Sequence, residues 1–446
     1  MSDTPVTSGS REWDGEVLFS DEGGGFAYRP DEVLVPETAA DLARRVKDLA
    51  PAEDMGPRSR LLRFRSSEDP LDVVRDLRQQ GIPAHPNHVL FANSDCCCRP
   101  HPATIWANPF SANPFSANPF SANPFSANPF SANPFSANPF SANPYPGAGA
   151  WWGLTTTAAD LRAAKLRPHS ARPATPPPLP GFVGTLAKGG PSVLVMDTGV
   201  AIDDLRPAAL AGLQVGDAHR ERPDENGDGR IDTVAGHGTF IAGLIERIQP
   251  GCDLRVDGLL SGFGVTDEVA VADRLEACLD QGAPDLINLS FGGYTMVGMG
   301  RLAEAIRNVQ RQGTVVVASA GNDATCRPTY PAALPGVVSV AALGPHGPAP
   351  FTNYGPWVRA CAPGVNVVST FFTSWNAPNF GESYGEWVAW SGTSFAAPAV
   401  TAALAGAVRA GLTPAQAVER MIDAPDLLRL PDLGTVVNQS PWWRVG

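Results

Sequence analysis

The sequence predicts an α/β domain, a mostly parallel sheet with helices on both faces, carried behind a small α+β module of the split βαβ kind. Three observations lead there. Continuous apolar runs at 192–196, 286–291, 314–318 and 337–342 alternate with helically periodic segments at 240–248, 267–280, 302–312 and 395–409. Apolar strands joined by helical crossovers mark a parallel sheet buried on both faces. Ahead of them, 31–35, 61–65 and 88–91 read as strands, and 38–50 and 70–80 as helices with Leu71, Val74 and Leu77 at i, i+3 and i+6. Between these blocks, from Ala107 to Pro144, an ANPFS pentad recurs eight times, the last followed by Tyr145 instead of Phe.

A proline at every fifth residue removes amide donors and pushes each preceding Asn out of the α region, so neither helix nor central strand runs through the repeat. It reads as an extended or repeating-turn linker, continued by the Pro-rich stretch 168–180. At about 3.1 Å per residue it could span on the order of 100 Å. A small pentapeptide β-solenoid and a recognition array of evenly spaced phenylalanines are the other readings. The chain divides accordingly: a disordered N-terminus over 1–24, the α+β module over 25–95, the linker over 96–188 and the α/β domain over 189–446.

With 45 acidic against 33 basic residues the formal charge is −12, which disfavours nucleic acid and anionic membrane as partners. Residues 1–16 lack a basic stretch followed by an apolar run, and nothing approaches the roughly 20 apolar residues of a spanning helix. The expectation is a cytoplasmic protein. Its seven cysteines, Cys96 to Cys98 adjacent and four scattered, form no disulfide framework, and reduced thiols are expected.

Four loci carry chemistry. Asp197 ends the run Val193-Leu-Val-Met196, where a carboxylate can orient an imidazole or simply cap a helix. His237 lies between Gly236 and Gly238 at the start of a helix, either an accessible ring or a cap. Asn322 ends the buried strand that begins at Val315 and closes in Gly321-Asn322, as an amide donor or a turn residue. Ser394 opens an Ala-rich helix, where free N–H groups and the dipole favour an alkoxide, or where a serine serves as N-cap. Pro398 falls close enough to that helix start that its missing N–H is expected to cost nothing.

Together, VLVMDTGV, GHGTFIAG, ASAGNDA and SGTSFAAPAV, in this order, resemble the subtilisin-like serine proteases (subtilases) nearly residue by residue over about 189–430. The resemblance implies the subtilisin-like fold and a serine endopeptidase that needs no cofactor. His237 would take the Ser394 proton, Asp197 would fix the tautomer, and Asn322 with the Ser394 N–H would hold the oxyanion. Ser290, Phe291 and Gly292 would form the wall on which polypeptide substrate adds as a β-strand. Cys326 and Arg327 would line the primary pocket, and Tyr330-Pro331 resembles the family's cis peptide. His85-Pro86-Asn87-His88-Val89 resembles the end of a subtilase prodomain, making the chain's own N-terminal module a partner in cis and the protein a zymogen. An alternative role gives the repeat a display, recruitment or released-peptide function. Phe240 departs from the family pattern, which often has a second His there.

Two side motifs remain. Asp224, Asn226, Asp228 and Asp232 follow the spacing of an EF-hand's first ligands, with Ala235 where the bidentate Glu belongs. They are a candidate structural calcium site or a solvated acidic turn. Cys96-Cys97-Cys98 with His101 could serve a soft metal, redox chemistry or nothing.

Overall fold

The computed structural model describes residues 17–20, 25–50, 53–55, 58–92, 171–175, 189–295, 298–377 and 382–437. The pentad repeat, Cys96 to Cys98 and His101 lie outside the described residues.

In the N-terminal module, strands Phe26–Pro36, Glu53–Asp54, Leu61–Arg65 and His85–Ala92 and helices Ala40–Val46 and Pro70–Gln79 follow one another as βαββαβ. The antiparallel sheet places these strands in spatial order 4-1-3-2, the split βαβ arrangement. Val33, Val35, Phe64, Val73, Val74, Leu77 and Ile82 fill the space under the helices. Pro70 opens the second helix, whose cap Asp69 accepts the Leu71 N–H at 2.8 Å. The first helix stops at Val46, short of the expected Ala50, because Lys47 turns extended and the Ala50 N–H bonds Arg65 O at 3.0 Å. Within the segment expected to be disordered, the described residues 17–20 pack on the module: Leu18–Ser20 pairs antiparallel with residues 26–28, and Val17 is buried.

In the second block, seven strands lie side by side and parallel: Asp253–Gly258, Ser192–Asp197, Leu286–Leu289, Val315–Ser319, Val338–Gly344, Ala360–Pro363 and Gly434–Val436. Period-two alternation splits the interior. Val193 and Val195 face helices His237–Ile248 and Thr393–Arg409, while Leu194 and Met196 face Glu268–Asp280 and Gly300–Arg311. Strand order reverses on either side of Ser192–Asp197, so a crevice opens at the carboxyl ends of this strand and Leu286–Leu289. An antiparallel hairpin, Val367–Ala377 with Glu382–Trp390, covers the His237 helix with Phe371, Phe372 and Trp390. The predicted linker reaches this hairpin: Arg172 and Pro173 pair with Ala389 and Val388 at its outer edge, where a proline costs no ladder bond.

The two blocks share a sheet. The module's last strand runs antiparallel between Val265–Asp267, which faces residues 89–91, and Phe291–Gly292, which faces Ala92 and Phe91. Arg29 bonds Asp267 at 3.0 Å, Arg301 reaches Met55 O, and Leu34 and Met55 pack on Val269. Among the described residues, no single helix is long and apolar enough to cross a membrane.

Candidate active site

Asp197, the last residue of its strand, is buried, and its Oδ1 accepts both the Thr198 N–H at 2.8 Å and the His237 Nδ1–H at 2.7 Å. With the Nδ1 proton committed to a carboxylate, the lone pair of the neutral ring is on Nε2, which has no hydrogen-bond partner among the described residues. Trp390 meets the ring edge-on at 5.5 Å and Phe395 lies 5.3 Å away, walling it from water.

The glycines flanking His237 serve close packing rather than openness, since the ring is itself fully buried. Gly236 has φ +83°, and a Cβ there would lie 2.2 Å from the Phe371 ring; one on Gly238 would lie 2.2 Å from the Gly199 carbonyl oxygen. Both amides are anchored. Gly236 N–H donates to Glu221 Oε1 at 2.9 Å, and Gly238 N–H to Thr198 Oγ1 at 2.9 Å. Burial, then the charge of Glu225, pushes the Glu221 carboxyl well above the usual carboxylate range. Sequence reasoning missed Glu221, which lies three residues ahead of the acidic loop and belongs to no motif itself.

Ser394 is the second residue of its helix. Its Oγ donates to Ser290 O at 2.9 Å, and the Ser290 hydroxyl donates back to Ser394 O at 2.9 Å. Pro398 explains the second bond and corrects the expectation that its missing N–H is harmless. Proline stands at the sixth helical position, where its N–H would have bonded Ser394 O. Ser290 supplies that donor. Behind it, Asn288 Nδ2 donates to Ser290 Oγ and Thr401 Oγ1 to Asn288 Oδ1, each at 2.9 Å, so a buried polar chain ties the serine to the sheet.

The Asn322 side-chain oxygen accepts the Thr393 N–H at 3.0 Å and the Thr393 hydroxyl at 2.9 Å. That fixes the amide plane with Nδ2 turned away from Thr393. Asp197, His237, Asn322 and Ser394 are thus gathered at the crevice by two strand ends and two helix starts. Phe291 and Gly292 are engaged by the module's Ala92 and Phe91. Tyr330-Pro331 is cis, and the Arg327 guanidinium lies 4.1 Å over the Tyr294 ring.

The acidic loop spends its oxygens locally. Both Asp224 oxygens accept amides from Gly227, Asp228 or Gly229, Asn226 Oδ1 accepts the Asp228 N–H, and Asp232 Oδ2 the Glu225 N–H. Burial first, and neighbouring acids next, push the Asp232 carboxyl up to about 7. Among the described residues the loop's carboxylates do not converge; the one group of three side chains with ligand atoms within 4.8 Å of one another is His85, His88 and Glu268.

The fold and this constellation define a subtilisin-like α/β protein. The subtilase family profile matches residues 188–427, more than half of the chain, and the chain belongs to that family. It is 32% identical over 222 residues to the thermostable alkaline protease of Halalkalibacterium halodurans, covering 47% of this chain and 55% of that one. It is 34% identical to halolysin of Haloferax mediterranei over 52% of this chain and 44% of the other, and 31% identical to thermitase of Thermoactinomyces vulgaris over 48% and 74%. The chain therefore spans about half the length of the first two relatives. The crystal structure of fervidolysin from Fervidobacterium pennivorans superposes with TM-score 0.54 at 19% identity over 95% of this chain and 61% of that chain, a likeness of fold.

Proposed function

We propose that the chain is a serine endopeptidase synthesised as a self-inhibited zymogen, with residues 25–95 as its prodomain. The observation that carries the reading is the buried His237–Asp197 bond at 2.7 Å, which leaves Nε2 as the ring's basic atom, with Phe395, the chain neighbour of Ser394 at the helix start, packed on the ring at 5.3 Å. In the reaction, Ser394 Oγ leaves the Ser290 carbonyl, gives its proton to His237 Nε2 and attacks the scissile carbonyl carbon. The imidazolium is stabilised by Asp197 and then protonates the leaving amine; water reverses the sequence on the acyl-enzyme. Asn322 Nδ2 and the Ser394 N–H are the donors for the oxyanion, at a helix end whose dipole favours negative charge.

Inhibition in cis is supported by the strand His85–Ala92. It takes up the edge of Phe291–Gly292 with its own backbone, and a substrate extended on that wall would need the same donors and acceptors. Activation is then cleavage between residues 91 and 104. Full-length protein and Ser394→Ala, treated with a fluorophosphonate probe and weighed intact, test both parts. Labelling and a clipped mass are expected for the parent alone. No labelling would refute the protease; labelling with identical uncleaved masses would refute self-processing.

A further inference from the structure

The cluster that this chemistry leaves unused lies on the seam between the two blocks. His85 and His88 come from the module's last strand, and Glu268 opens the helix Glu268–Asp280; all three are buried. Residues three apart on a regular strand face opposite ways. Here the pairing register breaks between Tyr28–His88 and Val33–Pro86, and the irregularity brings both rings to one side, stacked at 5.9 Å. Nδ1 of His88 lies 2.9 Å, and Nδ1 of His85 3.9 Å, from Glu268 Oε2.

The surroundings orient these atoms. Glu268 Oε1 accepts the Arg301 N–H at 2.8 Å and the Leu302 N–H at 3.4 Å, turning Oε2 toward the rings. Thr295 Oγ1 lies 3.0 Å from His88 Nε2. A hydroxyl both donates and accepts, so it can satisfy either tautomer of that ring. His85 Nε2 is buried without a hydrogen-bond partner among the described residues, which leaves the cluster one bond short.

We propose that His85, His88 and Glu268 form a binding site for a divalent transition metal, zinc foremost, that clamps the N-terminal module onto the α/β domain. Zinc holds nitrogen and oxygen ligands at about 2.0–2.2 Å, which sets tetrahedral ligands about 3.4 Å apart. Separations of 2.9 and 3.9 Å to Glu268 Oε2 straddle that distance, and with all three ligand atoms within 4.8 Å of one another, adjustments on the order of 1 Å close the set. Two imidazoles and one carboxylate suit zinc, nickel or cobalt, whereas calcium and magnesium prefer oxygen alone. Water completes the fourth position. His85 Nδ1 also lies 3.2 Å from the Pro86 carbonyl and donates to it in the metal-free state. On binding, the Nδ1 proton of each ring moves to Nε2, where that of His88 donates to Thr295. Because two ligands belong to the module and one to the domain, separating the blocks breaks the site. That metal would retard module release rests on the zymogen reading; that metal binds does not.

The test uses the full chain as Ser394→Ala, stripped with EDTA and titrated with cobalt under reducing conditions. The expected result is one equivalent with the visible bands of a tetrahedral nitrogen–oxygen set. Affinity should fall more than about 100-fold in His85→Ala and in Glu268→Gln, a loss beyond that typical of outer-shell partners. Any cobalt held by Cys96 to Cys98 shows a thiolate charge-transfer band that these substitutions leave alone. His88→Asn, which can still donate to Glu268, covers the case that the alanine variant fails to fold by circular dichroism. The proposal is overturned if no nitrogen–oxygen equivalent binds, or if folded variants retain the parent's cobalt spectrum and affinity. Fluorophosphonate labelling of unsubstituted protein is independent of this outcome, so the two readings fail separately.

Discussion

The Ser290 hydroxyl bonds a carbonyl orphaned by a proline four residues on, and the bond can be weighed. Ser290→Ala removes the donor to Ser394 O and the acceptor of Asn288 Nδ2, with all three residues fully buried. Each buried group left unbonded costs about 1–3 kcal/mol, so for the two a loss of about 2–6 kcal/mol is expected. Pro398→Ala supplies an N–H that can reach Ser394 O along the helix. Combined with Ser290→Ala, it should restore about 1–2 kcal/mol of that loss, the worth of one remade bond at a buried site. The assay is urea unfolding followed by tryptophan fluorescence, in a Ser394→Ala background that prevents autolysis. A double-mutant cycle with effects additive to within about 0.5 kcal/mol would refute the linkage.

Three further expectations follow from the site. Gly238→Ala drives a Cβ to 2.2 Å from the Gly199 carbonyl oxygen, backbone that cannot yield; fluorophosphonate labelling should be lost, and normal labelling with an unchanged thermal midpoint would contradict the packing. Glu221 has a raised folded-state pKa, so the stability it contributes is complete below its ordinary value near 4.5 and is lost as pH rises through the folded value. Glu221→Gln, which still accepts the Gly236 amide, should match the parent in acid and exceed it in alkaline buffer, whereas parallel midpoint–pH curves would sink the argument. Asp232 behaves likewise over a window from 3.8 to about 7: with EGTA present, Asp232→Asn should gain midpoint over the parent progressively across that window, and a constant offset would show that the carboxyl is not buried uncharged.

Most of the parallel strands and the four candidate residues at the crevice were legible because each signal is local. An apolar run flanked by helical periodicity, or a glycine-bracketed His, needs no knowledge of what packs on it. Asp253–Gly258 escaped notice because, as a sheet-edge strand, it carries three charged residues in six. Ala360–Pro363 is four residues long and lacks a long aliphatic side chain. The polar supports of the site were illegible for a different reason. Glu221 is 15 residues from the amide it holds and Ser290 is 104 from the carbonyl it caps, so only the folded backbone brings them into register. The tolerance of proline at a helix start ends with the first turn; at the sixth helical position Pro398 leaves the Ser394 carbonyl without its donor.

The linker is pinned at both ends. Ala92 pairs with Phe291, and Arg172 pairs with Ala389, so residues 93–170 close a covalent loop whatever path they take. While the loop is intact, a module that leaves its docking face stays at an effective concentration on the order of millimolar. A single cut removes that advantage without touching an interface contact, and rebinding becomes second order. At micromolar protein the change is about a thousandfold, or about 4 kcal/mol. In dilute solution, the same set of contacts could hold the uncut chain closed and fail to recapture the module after scission, making the cut a commitment that dilution enforces.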